Sequence, residues 1–234
     1  MKKIKVLTAV FLVLFVGFFA MQCQHEDEDV IPVVGPDPIE HGNEIITCTD
    51  CNITSVGPGI WYHDKSHSNV MWETPYKQFG SLLTGRFDYF IINSLNFDEA
   101  VPANISFNGH VRLNSVNTSE PGRDDGCLLS TFGTNGTNTD EPANLATLVS
   151  IPGTGRYSST DAGFLVDANF TFLGITKVVT VKMYFAPKFD IGTAYAAGLY
   201  SEFEMNALAD FLPGNTNIGE IVKVRINSLM RNKK

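Results

Sequence analysis

The sequence predicts an all-β fold, matched by an antiparallel up-and-down barrel of about eight strands, and three observations predict it. Several stretches alternate apolar and polar residues with the period of two that a half-buried strand requires. Clusters of Gly, Pro and Asn punctuate these runs, and no long segment carries a helical period. The number and spacing of the runs suit closure, which leaves no strand edge to be protected. Alternation alone leaves an immunoglobulin-type sandwich open as the second reading.

The chain begins with a segment outside this fold. Lys2, Lys3 and Lys5 precede an apolar run from Val6 to Met21, which falls short of the roughly 20 residues needed to span a bilayer and suits a signal-peptide core. Residues 1–22 therefore read as a signal peptide, and Cys23 as a thiol acylated to become the mature N-terminus. The alternative is ordinary cleavage near Ala20, with Cys23 left as a free thiol; Met21 and Gln22 are larger than the residues that usually precede an acylated cysteine. From Gln24 to Asp50 there are eight acidic residues and no Lys or Arg. Residues 23–50 repel themselves, cannot form a core and read as a tether, which leaves residues 51–234 as one folded domain.

Charge supports this division. The chain holds 17 basic and 25 acidic residues, a net charge of −8. Setting aside the three leader lysines and the eight tether acids leaves 14 basic and 17 acidic residues, so the domain carries only −3. It has no basic patch of the kind a phosphate backbone demands, which argues against a nucleic-acid partner.

With Cys23 acylated, Cys48, Cys51 and Cys127 remain, an odd number for an oxidising compartment. Cys48 and Cys51 have the spacing of a redox pair, but no helix follows to lower a thiolate pKa. The preferred reading is structural, with Cys127 bonded to Cys48 or to Cys51. Such a bridge closes a loop of about 75–80 residues, worth roughly 3–5 kcal/mol on the chain-entropy account.

The first strand of the domain follows a polar cluster of His63, Asp64, His67 and Ser68, and puts Ser68, Val70 and Trp72 on one face. Asp64, His67 and Ser68 do not make a hydrolase, because no Gly-x-Ser-x-Gly elbow is present. His63 and His67 are four apart, but a strand, not a helix, follows. Their expected role is to cap a turn and satisfy backbone groups where the strand begins. Further on, Ile105, Phe107, Val111 and Leu113 share a face, then Val179, Val181, Met183 and Phe185, then Val222, Val224 and Ile226. Residues 121–144 read as a long loop with a short helical turn at 141–148, and 211–219 as the turn before the last strand. The chain has 17 Phe, 7 Tyr and 2 Trp. Strand phase turns Trp72, Phe107, Phe170, Phe172, Phe185 and Phe203 inward, together with Val70, Val181 and Met205; by themselves these residues read as a packed core.

One ordered series of residues changes that balance. Asp64-x-x-His67-Ser68-x-Val70-x-Trp72 is followed by Gly85-Arg86-Phe87-x-x-Phe90, Phe97-Asp98, Ser115-x-x-Thr118, Arg123-Asp124, Phe172-x-Gly174-Ile175-Thr176-Lys177-x-Val179, Asp210-Phe211 and Ile218-Gly219-x-x-Val222. The series resembles the YceI-like polyisoprenoid-binding family of bacterial envelope proteins and covers nearly all of the chain after about Ile60. The resemblance implies a lipocalin-like barrel with an elongated apolar lumen. It further implies a ligand surface of Val70, Trp72, Phe107, Phe170, Phe172, Val181, Phe203 and Met205, with His67 and Ser68 near a polar head. Three positions depart from the family pattern: Tyr76 stands where a second histidine is usual, the run Arg123–Leu128 lacks its histidine, and Leu208 replaces an arginine. The acidic run after Cys23 is similar to the export signals of surface lipoproteins of the Bacteroidetes.

The expectation is therefore a non-catalytic binder of a long apolar lipid, an isoprenoid or a quinone, with no other cofactor. It would be anchored by Cys23 to the outer membrane, facing the periplasm or the cell surface. Two rivals stand beside it: a thiol-redox protein using Cys48 and Cys51, and a surface module for glycan or protein.

Overall fold

The computed structural model describes residues 46–48, 50–53, 61–64, 67–77, 80–134, 141–185, 189–192 and 194–233. The chain divides into the units Met1–Glu40 and His41–Lys234. The signal peptide, Cys23 and the tether up to residue 45 lie outside the described residues.

The second unit is all-β. Its strands are β1 (Ile46–Cys48), β2 (Asp50–Ile53), β3 (Trp61–His63), β4 (Asn69–Tyr76), β5 (Ser81–Phe87), β6 (Phe90–Phe97), β7 (Ser106–Arg112), β8 (Val116–Asn117), β9 (Leu145–Ser150), β10 (Arg156–Ser158), β11 (Gly163–Phe172), β12 (Ile175–Phe185), β13 (Phe189–Asp190), β14 (Ala194–Asn206) and β15 (Ile221–Lys233). They form one sheet, with a main path β2-β6-β7-β9-β11-β12-β14-β15-β4-β5-β8. The expected count of about eight strands is thus too low, since the main path alone holds eleven. The surplus comes from the leader strands and from short edge pieces that carry too few residues to show alternation. A single sheet also decides against the sandwich.

From β6 onward the path is antiparallel, and the last strand, β15, returns to β4. β15 pairs antiparallel with β4, and β4 with β5, while β6 begins the run β6-β7-β9-β11-β12-β14. The two ends meet through one piece of chain, because β7 pairs with β6 and, beyond the turn Leu113–Ser115, β8 pairs with β5. Ser115 holds this corner. Its hydroxyl donates to the Arg112 carbonyl at 2.7 Å and accepts from Tyr89 N at 3.0 Å, while its own carbonyl accepts from Asp88 N at 2.9 Å. The sheet is therefore strongly curled around one interior, as an up-and-down barrel requires.

Inward and outward residues alternate as read: Val179, Val181 and Met183, and Val222 and Val224, are buried, with Lys182, Lys223 and Arg225 turned out. Two local readings are corrected. The short helical turn expected within 141–148 is confined to a 3₁₀ turn at Pro142–Asn144, and the residues after it belong to β9. The expected loop 121–144 holds helical turns over 121–131. Before the last strand, a short helix Ala207–Asp210 is capped by Asn206, whose side chain accepts from Ala209 N at 3.0 Å.

The outer face is tied by ion pairs. Lys182 Nζ lies 2.7 Å from Asp161, Lys223 Nζ 2.9 Å from Glu202, and Arg225 meets both oxygens of Glu73 at 2.8 Å. The hydrogen bond from Lys182, then that from Ser158, holds the Asp161 carboxyl below its ordinary range. A lowered folded-state pKa stabilises above the unfolded carboxylate range, and that contribution disappears as pH falls through the folded value. Asp161→Asn is therefore expected to be less stable than the parent at about pH 7, with the gap narrowing as pH falls below the ordinary carboxylate range; urea unfolding at neutral and at acid pH checks it.

Candidate ligand-binding interior

Strand register builds the inner surface in rows. One row runs Phe164–Met183–Ser201–Ile226–Val70–Phe87–Val116 across seven strands. A second runs Phe203–Val224–Trp72–Gly85. Gly85 is required there: a Cβ on it would stand 2.5 Å from Trp72 Cζ2, so the indole lies directly against the β5 backbone.

The predicted surface residues fall into two groups. Val70, Phe170, Phe172, Val181 and Phe203 are buried in one core cluster. Trp72, Phe107 and Met205 pack against that cluster but stay half-buried, as do Phe87, Phe90, Phe164 and Ile226. The side chain of Phe185, also expected inward, lies outside the described residues.

Around Phe170 the rings are packed together. Phe203, Phe211 and Phe172 have centroids 5.2, 5.5 and 6.1 Å from it; Phe132 lies 5.6 Å from Phe172, and Phe87 lies 6.3 Å from Phe132. Sequence reasoning missed Phe132 and Phe211 as members of this cluster, because both come from connections where no period exists to give a side chain its direction. Phe87 and Phe211 did carry a signal, as parts of the series at Gly85-Arg86-Phe87 and Asp210-Phe211.

His67 and Ser68, the polar pair expected near a head group, are not part of the core cluster. His67 is 61% exposed, with its Nδ1 3.0 Å from Asp64 Oδ2. The Ser68 hydroxyl is occupied by backbone, donating to the Asp64 carbonyl at 2.7 Å and accepting from Leu229 N at 2.9 Å. Asp64 also pairs with Arg231, and Asp64 N donates to the Leu229 carbonyl at 2.9 Å, so the cluster fastens the start of β4 to β15. Ser68→Ala is expected to destabilise by about 1–3 kcal/mol, because it leaves the Leu229 amide without its acceptor; chemical denaturation measures this directly.

The histidine that is buried is His63, whose ring stands edge-on to Phe90 at 4.9 Å. With Thr74, Ser115, Thr134, Ser150, Ser201, Ser228 and Asn232 it forms the polar part of the buried set; among the described residues no Lys, Arg, Asp or Glu is buried. Among the described residues the buried set is thus apolar and hydrogen-bonding, without a carboxylate, an ammonium or a guanidinium. Cys51 is buried in β2 and Cys127 is half-buried in the helical segment; neither is a free thiol. The side chain of Cys48 lies outside the described residues.

Comparison with known proteins agrees with this architecture. No curated protein matches the chain. The crystal structure of Burkholderia cenocepacia BcnA is 17% identical and superposes with a TM-score of 0.53 over 71% of this chain and 98% of that one. The Campylobacter jejuni YCEI protein is 15% identical, with a TM-score of 0.52 over 66% of this chain and 87% of that one. A polyisoprenoid binding domain from Saccharophagus degradans, 18% identical over 76% of this chain and 100% of that one, has a TM-score of 0.45, below the level at which a common fold is argued. The model of the YceI-like domain matches residues 61–228, from Trp61 in β3 to Ser228 in β15, and the chain belongs to the YceI-like domain family.

Proposed function

We propose that this protein is a non-catalytic carrier that shelters an apolar lipid of isoprenoid or quinone type inside the barrel. Family membership supports the reading, and one observation carries it: Trp72, Phe87, Phe107 and Ile226 occupy inward positions yet keep solvent contact, whereas a filled core would cover them. An apolar chain lying against these side chains would remove that surface from water, at about 0.8 kcal/mol for each buried methylene. Val70, Trp72, Phe107, Phe203 and Met205 form the wall in this account. His67 and Ser68 stand outside it, held by Asp64 and the backbone.

In the same reading Cys23 carries the acyl anchor and opens the acidic tether of residues 23–50, whose last residues enter β1 and β2 instead of staying outside the sheet; the tether keeps the barrel beside the membrane that supplies its lipid. Cys127, bonded to Cys48 or Cys51, would fasten the leader to the barrel, and non-reducing peptide mapping identifies the pair. The carrier is tested by gel filtration after incubation with detergent-dispersed ubiquinone. Co-elution at one molecule per chain, weakened by Trp72→Ala, is the expected result. Elution free of quinone would return the interior to a plain core and bring the surface-binding reading forward. Loss of membrane association in Cys23→Ser tests the anchor separately.

A further inference from the structure

The interior is unevenly filled. Phe170, Phe172, Phe203 and Phe211 are all buried; Phe170 has its centroid 5.2–6.1 Å from those of the other three, and Phe172 lies 5.7 Å from Phe211. Rings at that spacing are in contact, so a hydrocarbon chain cannot pass between them without displacing one. Two of the connections add to the block. The helical segment 121–131 delivers Phe132 against Phe172, and the turn after Ala207–Asp210 delivers Phe211, fixed by Phe211 N and Leu212 N donating to the Ala207 carbonyl at 3.1 and 2.7 Å. The inward side chains that keep solvent contact, Trp72, Phe87, Phe107 and Ile226, lie outside this group of four.

We infer that the cluster Phe170–Phe172–Phe203–Phe211 is the floor of the ligand chamber and limits the length of the apolar chain the barrel accepts. The inference rests on the carrier reading and makes it selective. Affinity rises with each methylene that finds an apolar wall. It stops rising where the chain meets the floor, since further carbons either stay in water or force packed rings apart. The protein then discriminates among isoprenoids by length, and the floor rings are the specificity-determining residues.

The test is a titration of the full chain with geraniol, farnesol, geranylgeraniol and solanesol, followed by tryptophan emission, since Trp61 and Trp72 are the only tryptophans. The parent is expected to gain affinity along the series and then to break off before solanesol. In Phe170→Leu and Phe211→Ala the break moves to the next longer alcohol, which gains about tenfold in affinity; thermal melts confirm that both are folded. Val178→Ala, on the outer face and 64% exposed, leaves the break where it was. Affinity that climbs through solanesol in the parent, a reading independent of either variant, overturns the floor and leaves the carrier standing. So does a break that folded floor variants do not move. A parent that binds none of the four alcohols overturns the carrier reading, and the floor falls with it.

Discussion

Trp61→Ala is expected to lower the unfolding free energy by about 3–5 kcal/mol, the range for removing a large buried aromatic. Trp61 is fully buried, and its strand is paired on both sides, with Cys48 opposite in β1 and Asn232 opposite in β15. It therefore joins the leader to the barrel, and its loss should release the protection of the β1 amides to hydrogen exchange before that of β15. Trp61→Phe is expected to cost far less, about 1 kcal/mol. Among the described residues the buried indole Nε1 has no hydrogen-bond acceptor, and leaving a buried donor unpaired costs about 1–3 kcal/mol, which the phenyl ring avoids. Urea unfolding of the two variants separates these terms; an alanine variant as stable as the phenylalanine one would contradict the account of Trp61 as a packing residue.

Gly155→Ala is expected to cost about 3 kcal/mol, the upper part of the range for overpacking. A Cβ at this position would stand 1.9 Å from the Pro102 carbonyl oxygen and 2.8 Å from its carbon. That neighbour is backbone and cannot rotate away, so the 3₁₀ turn Pro102–Asn104 and the chain leading into β10 must separate. Gly126→Ala provides the contrast. It sits in the helical segment with nothing within 4 Å of an added Cβ, and alanine there should stabilise by about 0.5–1 kcal/mol. Thermal unfolding should move the two variants in opposite directions; equal shifts would count against the close approach at Gly155.

Much of the barrel was legible because alternation is a local property. Ile105, Val111 and Leu113, and Val222 and Val224, are buried where their phase puts them, since a strand with one wet face leaves no other arrangement for them. Short pieces were not legible. The stretch 145–149, apolar but for Thr147, is too brief to tell helix from strand, and only its pairing with β7 and β11 makes it β9. The leader strands are held by partners distant in sequence: Asp50–Ile53 lies parallel to β6, opposite Ser94–Phe97, and nothing in residues 46–53 announces that.

The interior was legible to a different depth. Strand-borne residues such as Phe170 and Phe203 could be pointed inward by phase alone, whereas Phe132 and Phe211 owe their direction to turns whose geometry depends on the finished barrel. The polar residues show the same limit. Alternation puts Trp61 and His63 on one face of β3, and both are buried. The cluster motif instead drew attention to His67 and Ser68, which serve the backbone at the start of β4. A motif identifies residues, and only packing tells which of them reach the interior.

The most direct test of the carrier reading is native mass spectrometry of the protein purified gently from its own envelope, followed by organic extraction of whatever it retains. The account predicts a discrete added mass that extracts as a single prenyl or quinone species and is reduced in Trp72→Ala. An apo mass that stays unchanged after exposure to added isoprenoids would contradict it and leave the aromatic interior as a core alone.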